Sequence, residues 1–155
     1  MTRFGLISFS GCAIMLALAL LPAAAQPGTA PAIPQTVLMK PADLANDIKA
    51  GKAPVILQVG FSVLYQQAHI PGAIYAGPGN KEEGIDNLKK QAASLAKDKP
   101  LVIYCGCCPW EKCPNIAAAW KELTAEGFKN LKVLYLPQNF GEDWADKGYP
   151  VVKAS

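Results

Sequence analysis

The sequence contains one histidine, His69, among its 155 residues. A metal site built mainly from imidazole groups is therefore excluded. Charge is also sparse, since Lys, Arg, Asp and Glu make up 17% of the residues and the formal net charge is +3. No basic cluster with interleaved aromatic side chains occurs, so nucleic-acid binding is not predicted. The high hydrophobic content of 51% instead predicts one folded domain with a substantial core.

The N-terminal segment is typical of an export signal. Arg3 supplies a positive charge, residues 4–21 are almost wholly apolar, Pro22 ends this run, and residues 23–25 are alanines. We therefore expect a signal peptide over residues 1–25, a Pro-rich tether over 26–35 and a folded domain over 36–155. An uncleaved anchor is the alternative, because ~20 apolar residues can span a bilayer. Cleavage would give a periplasmic or secreted protein with no stable membrane contact.

Short apolar runs alternate with helical patterns along the rest of the chain. The patterns predict strands over residues 37–39, 55–59, 73–75, 101–104 and 132–136, and helices over 41–48, 85–96, 116–126 and 143–147. This alternation is typical of an α/β domain with a mainly parallel central sheet and helices on both faces. Ligands of such folds bind beyond the C-terminal ends of the strands.

Four cysteines follow the most apolar of these strands within nine residues: Cys105, Cys107, Cys108 and Cys113. A disulfide within so short a segment removes little entropy from the unfolded chain, which makes reactivity or metal binding the better explanation. One structural disulfide remains an alternative. The loop leads into a helix near Pro114, and its free N–H groups can surround an anion. We expect them to lower the pKa of Cys105 below the value of about 8.5 for free cysteine.

Three further residues are expected to support this loop or the anion within it: Gly106, Trp110 and Lys112. Lys112 is the cation of the loop, since the loop contains no arginine. Trp110 either forms a wall of the pocket or packs the loop against the domain.

Two features resemble the rhodanese-like sulfurtransferase family over about residues 37–151. Residues 68–74 read AHIPGAI, which is similar to a family signature before the third strand, and Cys105 lies in a strand–cysteine–loop–helix unit. The resemblance implies a single rhodanese-like domain, a monomer without a cofactor, in which His69 is structural. It also implies that Cys105 takes sulfane sulfur from a small donor, such as thiosulfate or a persulfide, and passes it to a thiol acceptor.

The sequence departs from the family pattern in ways that leave other functions open. The loop is longer than usual, and residues 58–60 read Gln-Val-Gly where the family commonly has Asp-Val-Arg. Cys107, Cys108 or Cys113 could resolve a persulfide on Cys105 and leave a disulfide for a reductant protein to reset.

Three rival functions remain. The first is a thiol–disulfide or persulfide-reductase module that uses Cys105 with Cys108. The second is a Cu(I) or Zn²⁺ binding protein that uses the loop over residues 105–113. The third is a binding domain that keeps the fold only. No metal ligand set is predicted, because the loop lacks the two separate Cys-x2-Cys pairs that are typical of zinc sites.

Overall fold

Five short strands pair in parallel to form one sheet: β1 (Leu38–Met39), β2 (Val55–Gln58), β3 (Ile74–Tyr75), β4 (Leu101–Tyr104) and β5 (Leu131–Leu134). Their order is β1-β5-β4-β2-β3, which places β4 at the centre. The computed structural model describes Met1 and residues 33–153. The predicted signal peptide, apart from Met1, and residues 26–32 of the predicted tether lie outside the described residues.

Four α-helices connect these strands: α1 (Pro41–Lys49), α2 (Ser62–Gln67), α3 (Glu82–Ala92) and α4 (Pro114–Ala125). Short 3-10 turns cover Gln35–Val37 and Trp110–Lys112, and a π-helical segment covers Gly141–Ala145. Helix α2 was not predicted, because six residues are too few to show a helical period. None of the helices in the described part of the chain is long and apolar enough to cross a membrane.

The central strand β4 is buried on both faces, as its continuous apolar run predicts. On one face, Ile103 packs in a cluster with α3 and α4, which contribute Leu88 and Leu123. On the other face, Tyr104 packs in a second cluster that includes Leu44 of α1 and Trp144 of the π-helical segment. Helices therefore cover both faces of a parallel sheet, which confirms the predicted fold class.

His69 is structural, as the resemblance implied. Its Nδ1 lies 2.8 Å from the backbone oxygen of Tyr65, and the two rings stack with their centroids 3.9 Å apart. The backbone groups of His69 and Val152 exchange hydrogen bonds of 2.9 and 3.0 Å. These contacts connect the C-terminal segment to the loop before β3.

Candidate active site

Cys105 directly follows β4 and lies at the middle of the C-terminal edge of the sheet. Its side chain is almost fully buried, with a relative exposure of 3%. Gly60, which follows the end of β2, leaves room for this side chain because it has no Cβ atom. A Cβ atom at position 60 would lie only 3.1 Å from the Cys105 Sγ. A glycine at position 60, where arginine is common in the resembled pattern, thus allows this close approach.

The loop after Cys105 brings three sulfur atoms together. The Sγ atoms of Cys105, Cys107 and Cys113 lie within 4.8 Å of one another, which is also the spacing of metal ligands. The distance from Cys105 to Cys107 is 3.1 Å. Cys108 contacts Cys107, also at 3.1 Å, and its thiol donates to the Lys112 carbonyl oxygen at 3.8 Å. All four thiols are free, and the direct neighbour of Cys105 is Cys107 rather than the Cys108 of the Cys-x-x-Cys spacing.

Asn115 is a site residue that the sequence analysis missed. It lies in the first turn of α4 with a relative exposure of 1%. Its Nδ2 lies 3.4 Å from the Cys105 Sγ and 3.5 Å from the Cys107 Sγ. Its Oδ1 accepts a hydrogen bond of 3.1 Å from the Asn80 N–H, which fixes the orientation of the amide. Asn115 thus presents an N–H donor to two sulfurs and favours negative charge on them.

Gly106 and Trp110 both connect the loop to the segment that follows β5. Gly106 has φ +72°, and its carbonyl oxygen accepts a hydrogen bond of 3.0 Å from the Phe140 N–H. The N–H of Trp110 donates to the Pro137 carbonyl oxygen at 3.0 Å, and its ring packs edge-on against Tyr135 with centroids 5.2 Å apart. Trp110 therefore fixes the loop to the segment after β5 and does not line the cavity beside Cys105.

A cavity of about 420 Å³ opens beside Cys105. It is lined by Gln58, Leu64, Gln67, Ala68, Tyr104, Cys105, Gly106, Cys107, Asn139, Phe140, Gly141 and Ala145. None of these side chains carries a fixed charge. Lys112 is exposed and does not line the cavity. It is therefore not positioned to support an anion there, in contrast to the prediction.

Gln58, one of the lining residues, has a buried side chain with an unpaired acceptor. The side chain has a relative exposure of 1%, and its Nε2 donates to the Cys105 carbonyl oxygen at 3.5 Å. Its Oε1 is buried and has no hydrogen-bond partner among the described residues. An unpaired buried acceptor of this kind costs about 1–3 kcal/mol.

The pKa of Cys105 is raised in the reduced protein, contrary to the prediction of a lowered value. The thiol–thiol contact with Cys107 contributes most and burial adds to it, while the Cys113 thiol and the Cys107 N–H act in the opposite direction; the resulting pKa is about 12. The pKa of Cys113 is likewise raised to about 12, chiefly by its contact with the Cys105 thiol. The expected loop N–H lowers the pKa of Cys105, but the Cys107 thiol and burial together raise it by more.

Replacing Cys107 by alanine is expected to lower the pKa of Cys105, because it removes the largest contribution to the upward shift. A raised pKa keeps the thiol protonated at about pH 8, and each unit of decrease raises the thiolate fraction about tenfold. The rate of Cys105 alkylation by iodoacetamide, followed by peptide mass spectrometry, measures this change. Cys108→Ala is the control, because Cys108 does not contribute to the shift. Equal alkylation rates in both variants would contradict the assignment.

The sequence model of the Rhodanese-like domain matches residues 40–136. The chain belongs to the rhodanese-like domain family. No match was found among curated proteins. Among solved structures, this rhodanese-like domain is similar to the BH2092 protein from Bacillus halodurans, with 28% identity and a TM-score of 0.58 over 74% of this chain and 75% of that one.

Two further solved structures share the fold at lower identity. The Alr3790 protein from Anabaena sp. is 22% identical, with a TM-score of 0.58 over 75% of this chain and 92% of that one. The polysulfide-sulfur transferase homodimer from Wolinella succinogenes is 19% identical, with a TM-score of 0.56 over 77% of this chain and 80% of that one. These similarities place the Cys105 loop on a rhodanese-like fold.

Proposed function

We propose that this rhodanese-like domain is a sulfurtransferase that accepts sulfane sulfur on Cys105 and holds it as a persulfide. The observation that carries the proposal is the position of the Cys105 sulfur. It lies beside an uncharged cavity, with a buried amide donor from Asn115 at 3.4 Å and a second thiol, Cys107, at 3.1 Å. A nucleophile, a donor for developing charge and a resolving group are thus within contact of one another.

The cavity favours a persulfide or polysulfide donor over an oxyanion such as thiosulfate. Tetrahedral oxyanions are usually held by arginine or lysine, and no lining side chain has a fixed positive charge. The polysulfide-sulfur transferase of similar fold from Wolinella succinogenes bears a name that agrees with this class of donor.

Because the pKa of Cys105 is raised, its thiol must give up its proton in order to attack the donor. In the first step, the Cys105 Sγ attacks the outer sulfur of R–S–SH and forms a new S–S bond. The donor S–S bond breaks, and the departing thiolate takes the proton of the Cys105 thiol and leaves as RSH. The step exchanges one S–S bond for another, so no external oxidant or reductant is needed.

Asn115 and the Cys107 N–H favour negative charge on the Cys105 sulfur during this exchange. Both donors act on Cys105 in the resting protein, so they need no reorganisation as charge develops. An external thiol, R′SH, then takes the outer sulfur as R′–S–SH and restores the Cys105 thiol. This completes sulfur transfer without a cofactor.

The contact between Cys105 and Cys107 favours a second fate for the persulfide. The Cys107 sulfur attacks the Cys105 Sγ, the bond to the outer sulfur breaks, and HS⁻ leaves with the Cys107 proton as H₂S. The product is a Cys105–Cys107 disulfide, formed across an initial sulfur–sulfur distance of 3.1 Å. A dithiol reductant protein then supplies two electrons and two protons to reset it. This is persulfide reduction with Cys107, in place of Cys108, as the resolving residue.

The apolar N-terminal segment of the sequence supports placing this chemistry outside the cytoplasm, in a periplasmic or secreted protein. The proposed partners are then a small persulfide or polysulfide and a thiol or dithiol that removes the sulfur. We propose that the domain acts as a monomer, because the two thiols that the chemistry uses, Cys105 and Cys107, come from one loop.

Anaerobic exposure of the reduced protein to glutathione persulfide tests the proposal. Tandem mass spectrometry is expected to find a gain of about 32 Da on Cys105, corresponding to one added sulfur. The adduct should then decay to a disulfide between Cys105 and Cys107, with one sulfide released per chain. Sulfur bound first or only at Cys108, or no covalent uptake at all, would overturn the proposal.

A further inference from the structure

Three cysteines of one short segment bring their sulfur atoms together. Cys105 comes from the end of β4, Cys107 from the loop and Cys113 from the residue that precedes α4. Their sulfur atoms lie within 4.8 Å of one another. No imidazole or carboxylate joins this group in the described part of the chain.

The spacing of these sulfurs is close to that of a three-coordinate metal ion. With metal–sulfur bonds of about 2.3 Å, a trigonal planar site has sulfurs about 4 Å apart. To bind such an ion, the distance of 3.1 Å between the Cys105 and Cys107 sulfurs must increase to about 4 Å. The other sulfur–sulfur distances in the group are below 4.8 Å and therefore need little change. Side-chain rotations of the two partly buried members, Cys107 and Cys113, can supply this change without moving β4.

The number and type of donors select the ion. Thiolate ligands prefer soft ions such as Cu(I) and Zn²⁺, and structural Zn²⁺ is almost always four-coordinate. Cys108 would have to be the fourth ligand, but it contacts Cys107 and the Lys112 carbonyl oxygen and is not part of the three-sulfur group. We propose that Cys105, Cys107 and Cys113 form a three-coordinate Cu(I) site.

The groups around the three sulfurs can stabilise the negative charge of the Cu(I) complex. Three thiols bind Cu(I) with release of three protons and no change of oxidation state, which leaves a net charge of −2. The Asn115 Nδ2 lies within 3.5 Å of two of the sulfurs. The positive end of α4, a helix of 12 residues, begins directly after Cys113. The N–H groups of Gly106 and Cys107 make no backbone–backbone hydrogen bonds within the described residues.

This site goes beyond the proposed sulfur transfer, but both need the same atom. A Cys105 sulfur bound to Cu(I) cannot attack a persulfide, and a persulfidated Cys105 has lost the thiolate that the ion needs. Copper binding is therefore expected to block sulfur uptake. The two functions are measured separately, since sulfur uptake is assayed on copper-free protein and copper binding without a sulfur donor.

Anaerobic titration of the reduced full-length protein with Cu(I), in competition with bathocuproine disulfonate, tests the site. One Cu(I) is expected per chain. Cys105→Ser, Cys107→Ser and Cys113→Ser should each weaken binding by about 100-fold or more, since even loss of an outer-shell partner costs 10–100-fold. Cys108→Ser is the matched control, with the same substitution in the same loop, and should bind as the wild type does.

X-ray absorption of the wild-type complex provides a second readout that does not depend on the folding of a variant. It should show three sulfur neighbours at about 2.3 Å. Two or four sulfur neighbours, or a Cys108→Ser variant that loses as much affinity as the other three, would overturn the inference. Binding of Zn²⁺ in preference to Cu(I) would overturn it as well.

Discussion

Cys105→Ser is expected to slow sulfur uptake from glutathione persulfide by about a thousandfold or more, since loss of a covalent nucleophile removes nearly all of its catalysis. A serine hydroxyl is far less nucleophilic toward sulfur, and it cannot form a persulfide. The substitution changes little else, because the two side chains are similar in size and Asn115 can donate to the hydroxyl as it does to the thiol. The initial rate of glutathione release, measured anaerobically at equal protein concentration, gives the effect.

The matched control is Cys108→Ser, which makes the same substitution three residues away. Cys108 contacts Cys107 and not the attacking sulfur, so this variant should take up sulfur at close to the wild-type rate. The free energy of unfolding of both variants should stay within about 1 kcal/mol of the wild type. Should Cys105→Ser retain the wild-type rate with the added sulfur on Cys107, the reaction would begin at Cys107 and the role assigned to Cys105 would be wrong.

The fold was largely predictable because it depends on local periodicity and on one recognisable signature. The apolar run at residues 101–104 coincides with β4. A central strand that is buried on both faces is apolar throughout, so its first and last residues can be read from the sequence. The start of α3 was placed three residues late, at Ile85 instead of Glu82, because the first helical turn carries polar residues that the apolar pattern does not detect. The acidic pair Glu82 and Glu83 was the available signal for this start.

The chemistry of the site was less predictable because it depends on contacts between side chains of one irregular loop. The spacing Cys-x-x-Cys predicted Cys108 as the partner of Cys105. In the folded loop, the sulfur of Cys107 instead contacts the Cys105 sulfur. The upward shift in the pKa of Cys105 follows from this contact, which no residue spacing reveals. Asn115 was missed for the same reason, since its role depends on the distance between the start of α4 and the end of β4.

The geometry at Gly106 shows how the loop is held in the conformation that creates these contacts. Its φ of +72° lies in the left-handed region, where a side chain costs about 1–2 kcal/mol. A Cβ atom there would also lie 2.6 Å from the Phe140 Cβ and 3.2 Å from the Phe140 backbone nitrogen. Rotation of the phenyl ring cannot relieve contacts with Cβ and backbone atoms, so the loop or the segment at Phe140 must shift.

Gly106→Ala is therefore expected to destabilise the domain by roughly 3 kcal/mol, which combines left-handed strain with overpacking. The shift would also break the hydrogen bond from the Phe140 N–H and displace Cys105 and Cys107, which flank the substituted residue. Sulfur uptake should fall about 100-fold, the effect of a displacement of about 1 Å at a reacting group. Chemical denaturation and the rate of glutathione release measure the two effects.

Gly148→Ala separates the two causes, because Gly148 has the same φ of +72° but no atom within 4 Å of a Cβ at that position. This control carries the left-handed strain alone and should lose about 1–2 kcal/mol, with sulfur uptake unchanged. If the two variants lose equal stability and retain equal rates of uptake, contact with Phe140 does not hold the cysteine loop. A larger loss in Gly106→Ala alone would show that packing against Phe140 fixes the positions of the Cys105 and Cys107 sulfurs.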